Sequence, residues 1–179
     1  MIQKASKTNR QSGQAALIVT FASVFLFGLL GVVVDTGYGY FVKQVAQAAV
    51  DSAAMAGAGM AQSSGGTCGD AVLCQSDTAC AVNPTSPPVT NFDAACLYAS
   101  KNGFPTTATQ RVTLSAGTGK PPSNSGVTAS YWITATATRT FPLSFTRILG
   151  FETATVSAQA TSGLVPSYSA GGCICRNTQ

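Results

Sequence analysis

The sequence predicts an α+β protein: one long N-terminal transmembrane helix continues outside the membrane and packs on a small antiparallel sheet. Three observations lead to this prediction. Residues 15–34 are twenty consecutive positions without a charge. Residues 38–60 carry apolar side chains at intervals of three and four, which is the period of a helix. Three later segments alternate apolar and polar residues, which is the period of a strand.

Residues 15–34 form the predicted transmembrane helix. At about 1.5 Å per residue, such a run covers the roughly 30 Å hydrocarbon layer of a bilayer. The alternative is a cleaved signal peptide, whose apolar region is typically about 7–15 residues long. The run is longer than that, and Val32-Val33-Val34-Asp35 is a poor cleavage site, so we favour an anchor.

The charges on its two sides predict the orientation of this helix. Three cations and no acid lie in residues 1–14, whereas one cation and two acids lie in residues 35–51. Positive charge is enriched on the cytoplasmic side of membrane segments. We therefore predict a single-pass protein of the inner (cytoplasmic) membrane. Its cytoplasmic basic tip is residues 1–14, and its C-terminal domain is periplasmic or extracellular.

Residues 35–62 are predicted to continue the helix beyond the membrane. Small residues recur every fourth position from Ala49 to Ala61, which lets a second helix or a sheet approach closely. The helix propensity of alanine explains the same pattern without packing, so both interpretations stay open. Gly37 and Gly39 favour a bend. The residues that we assign to the membrane and assembly helix are Phe21, Phe25, Leu29, Tyr38, Phe41, Val45, Ala49, Ala53 and Gly57.

The six cysteines predict disulfide bonds in an exported protein. The alternative is a metal site, but the chain has no histidine and no C-x-x-C spacing, so the usual zinc patterns are missing. Sequence alone does not choose the pairing. We expect bonds to fix the Cys-rich loop, residues 63–91, and also the tail, residues 163–179. The candidates are Cys68, Cys74, Cys80, Cys96, Cys173 and Cys175.

Residues 92–162 are predicted to form the exported α+β domain. A short helix over 91–102 has Asp93 near its start and Gly103 as its stop signal. Strands follow over 111–115, 127–141 and 153–161, and we expect 116–126 to be a turn-rich loop.

An apolar cluster, residues 142–151, separates the last two strands. We expect it to join the core, and the alternative is a membrane-surface or partner-docking role.

Composition argues against catalysis and nucleic-acid binding. Without histidine, Ser-His-Asp and Cys-His arrangements cannot form, and the six acids are scattered along the chain. Asp70 and Asp77 lack the spacing of a calcium loop. Cations are not clustered with aromatic residues. We therefore predict no enzyme activity, no cofactor, no metal and no nucleic-acid partner.

Several segments are similar to a known family. Gly13-Gln14-Ala15-Ala16, the apolar run, Val33-Val34-Asp35-Thr36-Gly37-Tyr38 and the Ala-rich stretch from Gln44 to Ala58 resemble the Tad-like N-terminus of TadE/TadG-like proteins. Residues 98–104, 138–151 and 155–160 resemble later parts of the family. The resemblance implies a pilin-like, non-enzymatic component of the bacterial tight-adherence (Tad/Flp) pilus or its assembly machinery.

The resemblance also implies partners and raises the question of processing. The implied partners are the membrane and other pilus or secretion-system subunits, with a homo-oligomer or a surface filament as a candidate assembly. Pseudopilin-type members are cut after a Gly that is followed by Glu five residues later. Gly13 is thus a candidate processing site, but Ile18 occupies the Glu position and favours the uncleaved TadG-like type. The D-x-S-x-S metal motif of longer members is absent.

Two functions follow from these observations. The leading one is assembly of the pilus through the membrane helix. The alternative is a membrane-tethered adhesion or surface-binding module, stapled by disulfides, that contacts a surface outside the cell.

Overall fold

The computed structural model describes residues 11–122, 126–165 and 172–176. The basic tip's cations therefore lie outside the described residues. The elements in chain order are α1 (Gln11–Ser63), β1 (Thr78–Ala79), α2 (Asn91–Lys101), β2 (Gln110–Gly119), β3 (Ala129–Pro142), a 3-10 helix (Thr146–Leu149), β4 (Thr153–Val165) and β5 (Gly172–Arg176).

Helix α1 is a single helix of 53 residues. It joins the predicted transmembrane segment to the predicted continuation and is helical through Gly37 and Gly39, where the bend stays a prediction. The anchor and the extension are therefore one element.

The five strands form one antiparallel sheet in the order β1-β2-β3-β4-β5. In the central register, Ala137 lies opposite Val112 on one side and Ala158 on the other. Alternate residues of β2, β3 and β4 are buried, as the period-two pattern predicts. The buried face includes Val112, Leu114, Tyr131, Ile133, Ala135, Ala137, Ala158, Ala160 and Leu164.

The second half of α1 covers this buried face, which confirms the predicted α+β class. Its buried residues are mostly small: Val42, Ala46, Ala49, Val50, Ala53, Ala54, Ala58 and Ala61. Gly57 is the closest point of approach, because a Cβ placed there would lie 2.6 Å from Ile133 Cδ1 and 3.2 Å from the carbonyl oxygen of Asn91. Small side chains thus let α1 approach both the sheet and α2.

Helix α2 has the termini that its sequence predicts. The Thr90 hydroxyl accepts a hydrogen bond from the Asp93 amide, and the Asp93 carboxylate accepts one from the Thr90 amide, which makes a capping box. Gly103 follows the helix with φ of +83°, a conformation that favours glycine.

Three segments that we expected to be loop or tail contain strands. Strand β2 extends to Gly119, with Gly117 opposite Trp132, so the predicted loop from residue 116 starts late. The Cys-rich loop contributes β1, which pairs with β2. The tail contributes β5, which pairs with the end of β4. Segments of two to five residues are too short to show a clear strand period, so the sequence does not reveal these pairings.

Candidate membrane and assembly site

The first part of α1 stands apart from the sheet and exposes large apolar side chains. It gives the one helix in the described part of the chain that is long and apolar enough to cross a membrane. Within the predicted span, residues 15–34, both side-chain hydroxyls bond to the backbone of the same helix. Thr20 Oγ1 donates to the Ala16 carbonyl at 2.9 Å, and Ser23 Oγ donates to the Val19 carbonyl at 2.8 Å. Such internal bonds suit a segment surrounded by lipid.

The residues assigned from sequence to the assembly helix divide into two groups. Phe21, Phe25, Leu29, Tyr38 and Phe41 are exposed, and Val45 is half-buried. Ala49, Ala53 and Gly57 are buried within this chain. Phe21, Phe25 and Leu29 are therefore accessible to lipid or partner subunits, whereas Ala49, Ala53 and Gly57 already pack within this chain. Their contacts in an assembly stay a prediction.

Asp35 joins α1 to the β3–β4 loop, residues 143–152. Its carboxylate accepts hydrogen bonds from the amides of Ser144, Phe145 and Thr146 at 3.0, 3.0 and 2.8 Å. It also accepts one from Thr146 Oγ1 at 2.8 Å. The bond from the Thr146 amide has the largest effect on the pKa of Asp35. Together the four bonds outweigh desolvation and lower this pKa to about 2. Asp35 is therefore a charged anchor point for this loop.

Aromatic contacts reinforce the same junction. The Tyr38 ring meets Phe141 edge-on with ring centroids 5.1 Å apart, and Arg139 Nη2 donates to the Tyr38 hydroxyl at 3.3 Å. Phe145 packs against Gly31, where an added Cβ would lie 2.5 Å from Phe145 Cβ. The end of the sheet nearest the predicted membrane is thus fixed to α1 between residues 31 and 38.

The expectation that residues 142–151 join the core is wrong. Phe145, Ile148 and Phe151 are 48%, 87% and 64% exposed. The loop turns beyond the end of β3 and β4 and meets α1 near Asp35. Phe151 lines an open cavity of about 460 Å³ with Asp35, Gly39 and Phe141. Apolar composition alone could not distinguish a core cluster from an exposed one.

Two disulfides fix the Cys-rich loop, as the cysteine content predicts. Cys68 pairs with Cys74, and Cys80 pairs with Cys96 on α2. The first bond closes a short turn, whereas the second attaches the loop to the helical layer. Cys173 and Cys175 lie in β5, whose side chains are outside the described set, so their pairing stays a prediction.

Asn91 holds the same loop against the sheet, and sequence reasoning missed it. Its side chain accepts a hydrogen bond from the Leu73 amide at 2.7 Å and donates to the Leu73 carbonyl at 2.9 Å. It also donates to the Tyr131 hydroxyl. Burial raises the pKa of Tyr131 to about 12, against the effect of this bond. The only signal in the sequence was a polar residue, Asn91, at the start of the predicted helix. Its burial became visible in the structure, where buried polar groups are expected to be hydrogen-bonded.

An open groove of about 570 Å³ runs between α1 and α2, with Met55, Met60 and Tyr98 on its walls. Within the described residues, no group of three His, Cys, Asp or Glu side chains is arranged to hold a metal. The described residues thus offer surfaces for packing.

One family model matches part of this chain. Residues 13–61 match the Tad family model, described as "Putative Flp pilus-assembly TadE/G-like". The matched segment is nearly all of α1, from Gly13 near its start to Ala61 in its packed half. No curated protein and no solved structure matches the chain.

Proposed function

We propose that this chain, whose residues 13–61 match the family model of Flp pilus-assembly proteins, is a non-enzymatic, pilin-like component of a tight-adherence pilus or its assembly machinery. It acts as a single-pass membrane protein with a cytoplasmic N-terminus and an exported domain. One observation supports this most strongly: the family match coincides with a single helix that is exposed at one end and core at the other.

The exposed end of α1 is the part available for assembly. Phe21, Phe25 and Leu29 recur every four residues, so they share one side of the helix. Phe25 is 66% exposed, so most of its side chain is accessible to a partner. We propose that this side packs on the membrane helices of partner subunits, where packing rather than hydrophobicity drives association.

A matched pair of substitutions tests this role. Phe27 lies about 200° around the helix from Phe25, because each residue turns the helix by about 100°. It is 72% exposed, and Phe27→Ala removes the same side chain as Phe25→Ala. We expect Phe25→Ala to lower the number of surface pili per cell and Phe27→Ala to leave it close to wild type.

The readouts are pilus counts by electron microscopy and the amount of protein in the membrane fraction. Equal membrane levels of both variants show that anchoring is intact. Normal piliation in a Phe21→Ala, Phe25→Ala double variant would contradict the proposed packing side. Normal piliation in a strain lacking the whole protein would contradict the pilus role itself.

A further inference from the structure

The exposed apolar residues of the β3–β4 loop lie beside the predicted transmembrane segment. Phe145 contacts Gly31, which is three residues before Val34, the end of that segment. At about 1.5 Å per residue, Gly31 lies roughly 5 Å inside the hydrocarbon boundary. The Asp35 bonds to the amides of residues 144–146 hold the loop at this level.

The residues around this level are typical of a membrane interface. Tyr38, Tyr40 and Phe41 are exposed just beyond the apolar run, and Tyr is enriched where a membrane helix leaves the bilayer. In the β3–β4 loop, Arg147 is exposed between Phe145 and Ile148, and Glu152 lies at the end nearest the sheet. A cation beside apolar side chains can reach lipid phosphates while its neighbours enter the acyl region.

We propose that the β3–β4 loop is a second membrane contact, in which Phe145 and Ile148 insert among phospholipids and Arg147 faces their phosphates. Elements in the interface plane bury their apolar side about 5–10 Å into the headgroup and acyl boundary, which agrees with the level of Gly31. The loop thereby fixes the tilt of the exported domain on its anchor. This inference rests on the membrane anchoring in the proposed function, and it does not depend on the pilus role.

Depth-dependent fluorescence quenching tests the insertion. The full-length chain is reconstituted in vesicles of phosphatidylcholine and phosphatidylglycerol whose acyl chains carry bromine. Its one tryptophan, Trp132, is changed to Phe, and a new tryptophan is introduced by Ile148→Trp. Because interfacial residues reach about 5–10 Å into the acyl boundary, we expect brominated lipid to reduce the emission about twofold.

Two matched probes make the result specific. Val89→Trp replaces a 64% exposed residue before α2, near Gly57 and far along α1 from the span, and we expect no quenching. Phe25→Trp lies within the span and should be quenched strongly. If Trp132→Phe unfolds the domain, the same three probes are compared with Trp132 retained as a constant background.

The outcomes separate the loop from the anchor. Quenching at positions 25 and 148 but not at 89 supports the proposal. Quenching at 25 alone overturns the loop insertion and leaves the anchor standing. No quenching at 25 overturns both. Emission from Ile148→Trp that is insensitive to bromine but shifts to the blue as protein density in the vesicles rises would also overturn it, in favour of a contact with a second copy.

Discussion

The two halves of α1 are both apolar, yet they have opposite surroundings. In residues 14–34 the large side chains, such as Phe25 and Leu29, are exposed to the surroundings of the protein. In residues 42–61 half of the positions are Ala or Gly, and Ala49 and Ala53 are fully buried. The half that packs within this chain is thus the one with the smaller side chains, which permit close approach.

This difference has a physical basis. Large apolar residues that face lipid lose nothing by exposure, since lipid tails are as apolar as they are. Small residues on the other half let the helix axis approach the sheet, so that Ile133 and Tyr131 fill the space between them. One continuous helix can therefore be solvated by lipid at one end and form a protein core at the other.

The largest expected effect in the packed region is loss of the disulfide between the Cys-rich loop and α2. Cys80 and Cys96 are 16 residues apart, and a loop of this length corresponds to about 3 kcal/mol of stabilisation. The double substitution Cys80→Ala, Cys96→Ala should lower the free energy of unfolding by about that amount. Denaturant unfolding of the full-length protein in detergent measures it.

The other disulfide is the matched control. Cys68 and Cys74 are 6 residues apart, so their double Ala variant should lose about 2 kcal/mol. Neither variant should change the amount of protein in the membrane fraction, because the anchor half makes no contact with this loop. Equal free energies of unfolding for the wild type and the Cys80, Cys96 variant would show that this disulfide does not stabilise the helical layer.

Gly57→Leu tests whether close approach holds the packed half together. The new side chain would meet Ile133 and the backbone of Asn91, and overpacking typically costs about 1–3 kcal/mol. Gly59→Leu is the control, since a Cβ there has nothing within 4 Å. We expect thermal unfolding to be earlier for Gly57→Leu and unchanged or later for Gly59→Leu. The reverse order would contradict the packing.

The smallest expected effect is at the junction between the two halves. The folded-state pKa of Asp35 is lowered from 3.8 to about 2, so its stabilisation is present above 3.8 and is lost as pH falls towards 2. Asp35→Asn should weaken the junction at neutral pH and remove this acid dependence. Thermal unfolding of both proteins across that pH range measures the effect.

Exposed Asp70 provides the control for this experiment. Asp70→Asn should keep the wild-type acid dependence, because no hydrogen bonds like those of Asp35 hold its carboxylate in the described structure. If the difference in unfolding temperature between the wild type and Asp35→Asn is the same at all these pH values, the Asp35 charge does not stabilise the junction.

The sequence predicted the main elements of the fold. The period of residues 38–60 identified the helix continuation, and alternation in residues 127–141 identified β3. The predicted apolar stripe includes Val42, Ala49 and Ala53, which are buried, but also Tyr38 and Phe41, which are exposed. It omits Ala46 and Val50, which are fully buried. A highly apolar helix shows little contrast between its sides, so its sequence locates the buried face poorly.

The candidate site was less predictable than the fold. In the sequence, Asp35 directly follows the predicted transmembrane segment, but its four hydrogen bonds come from a loop more than a hundred residues away. Such bonds depend on the tertiary arrangement, which local periodicity does not describe. The exposure of Ile148 has the same origin, because it depends on where the β3–β4 hairpin ends relative to α1.

The central claim is that one helix serves as both membrane anchor and domain core. Replacing residues 1–34 by a cleavable signal peptide, so that the exported chain begins at Asp35, tests it most directly. We expect a folded domain with both disulfides, found in the soluble exported fraction of cells that lack pili. Normal numbers of pili on cells that make only this released domain would contradict the dual role of the helix.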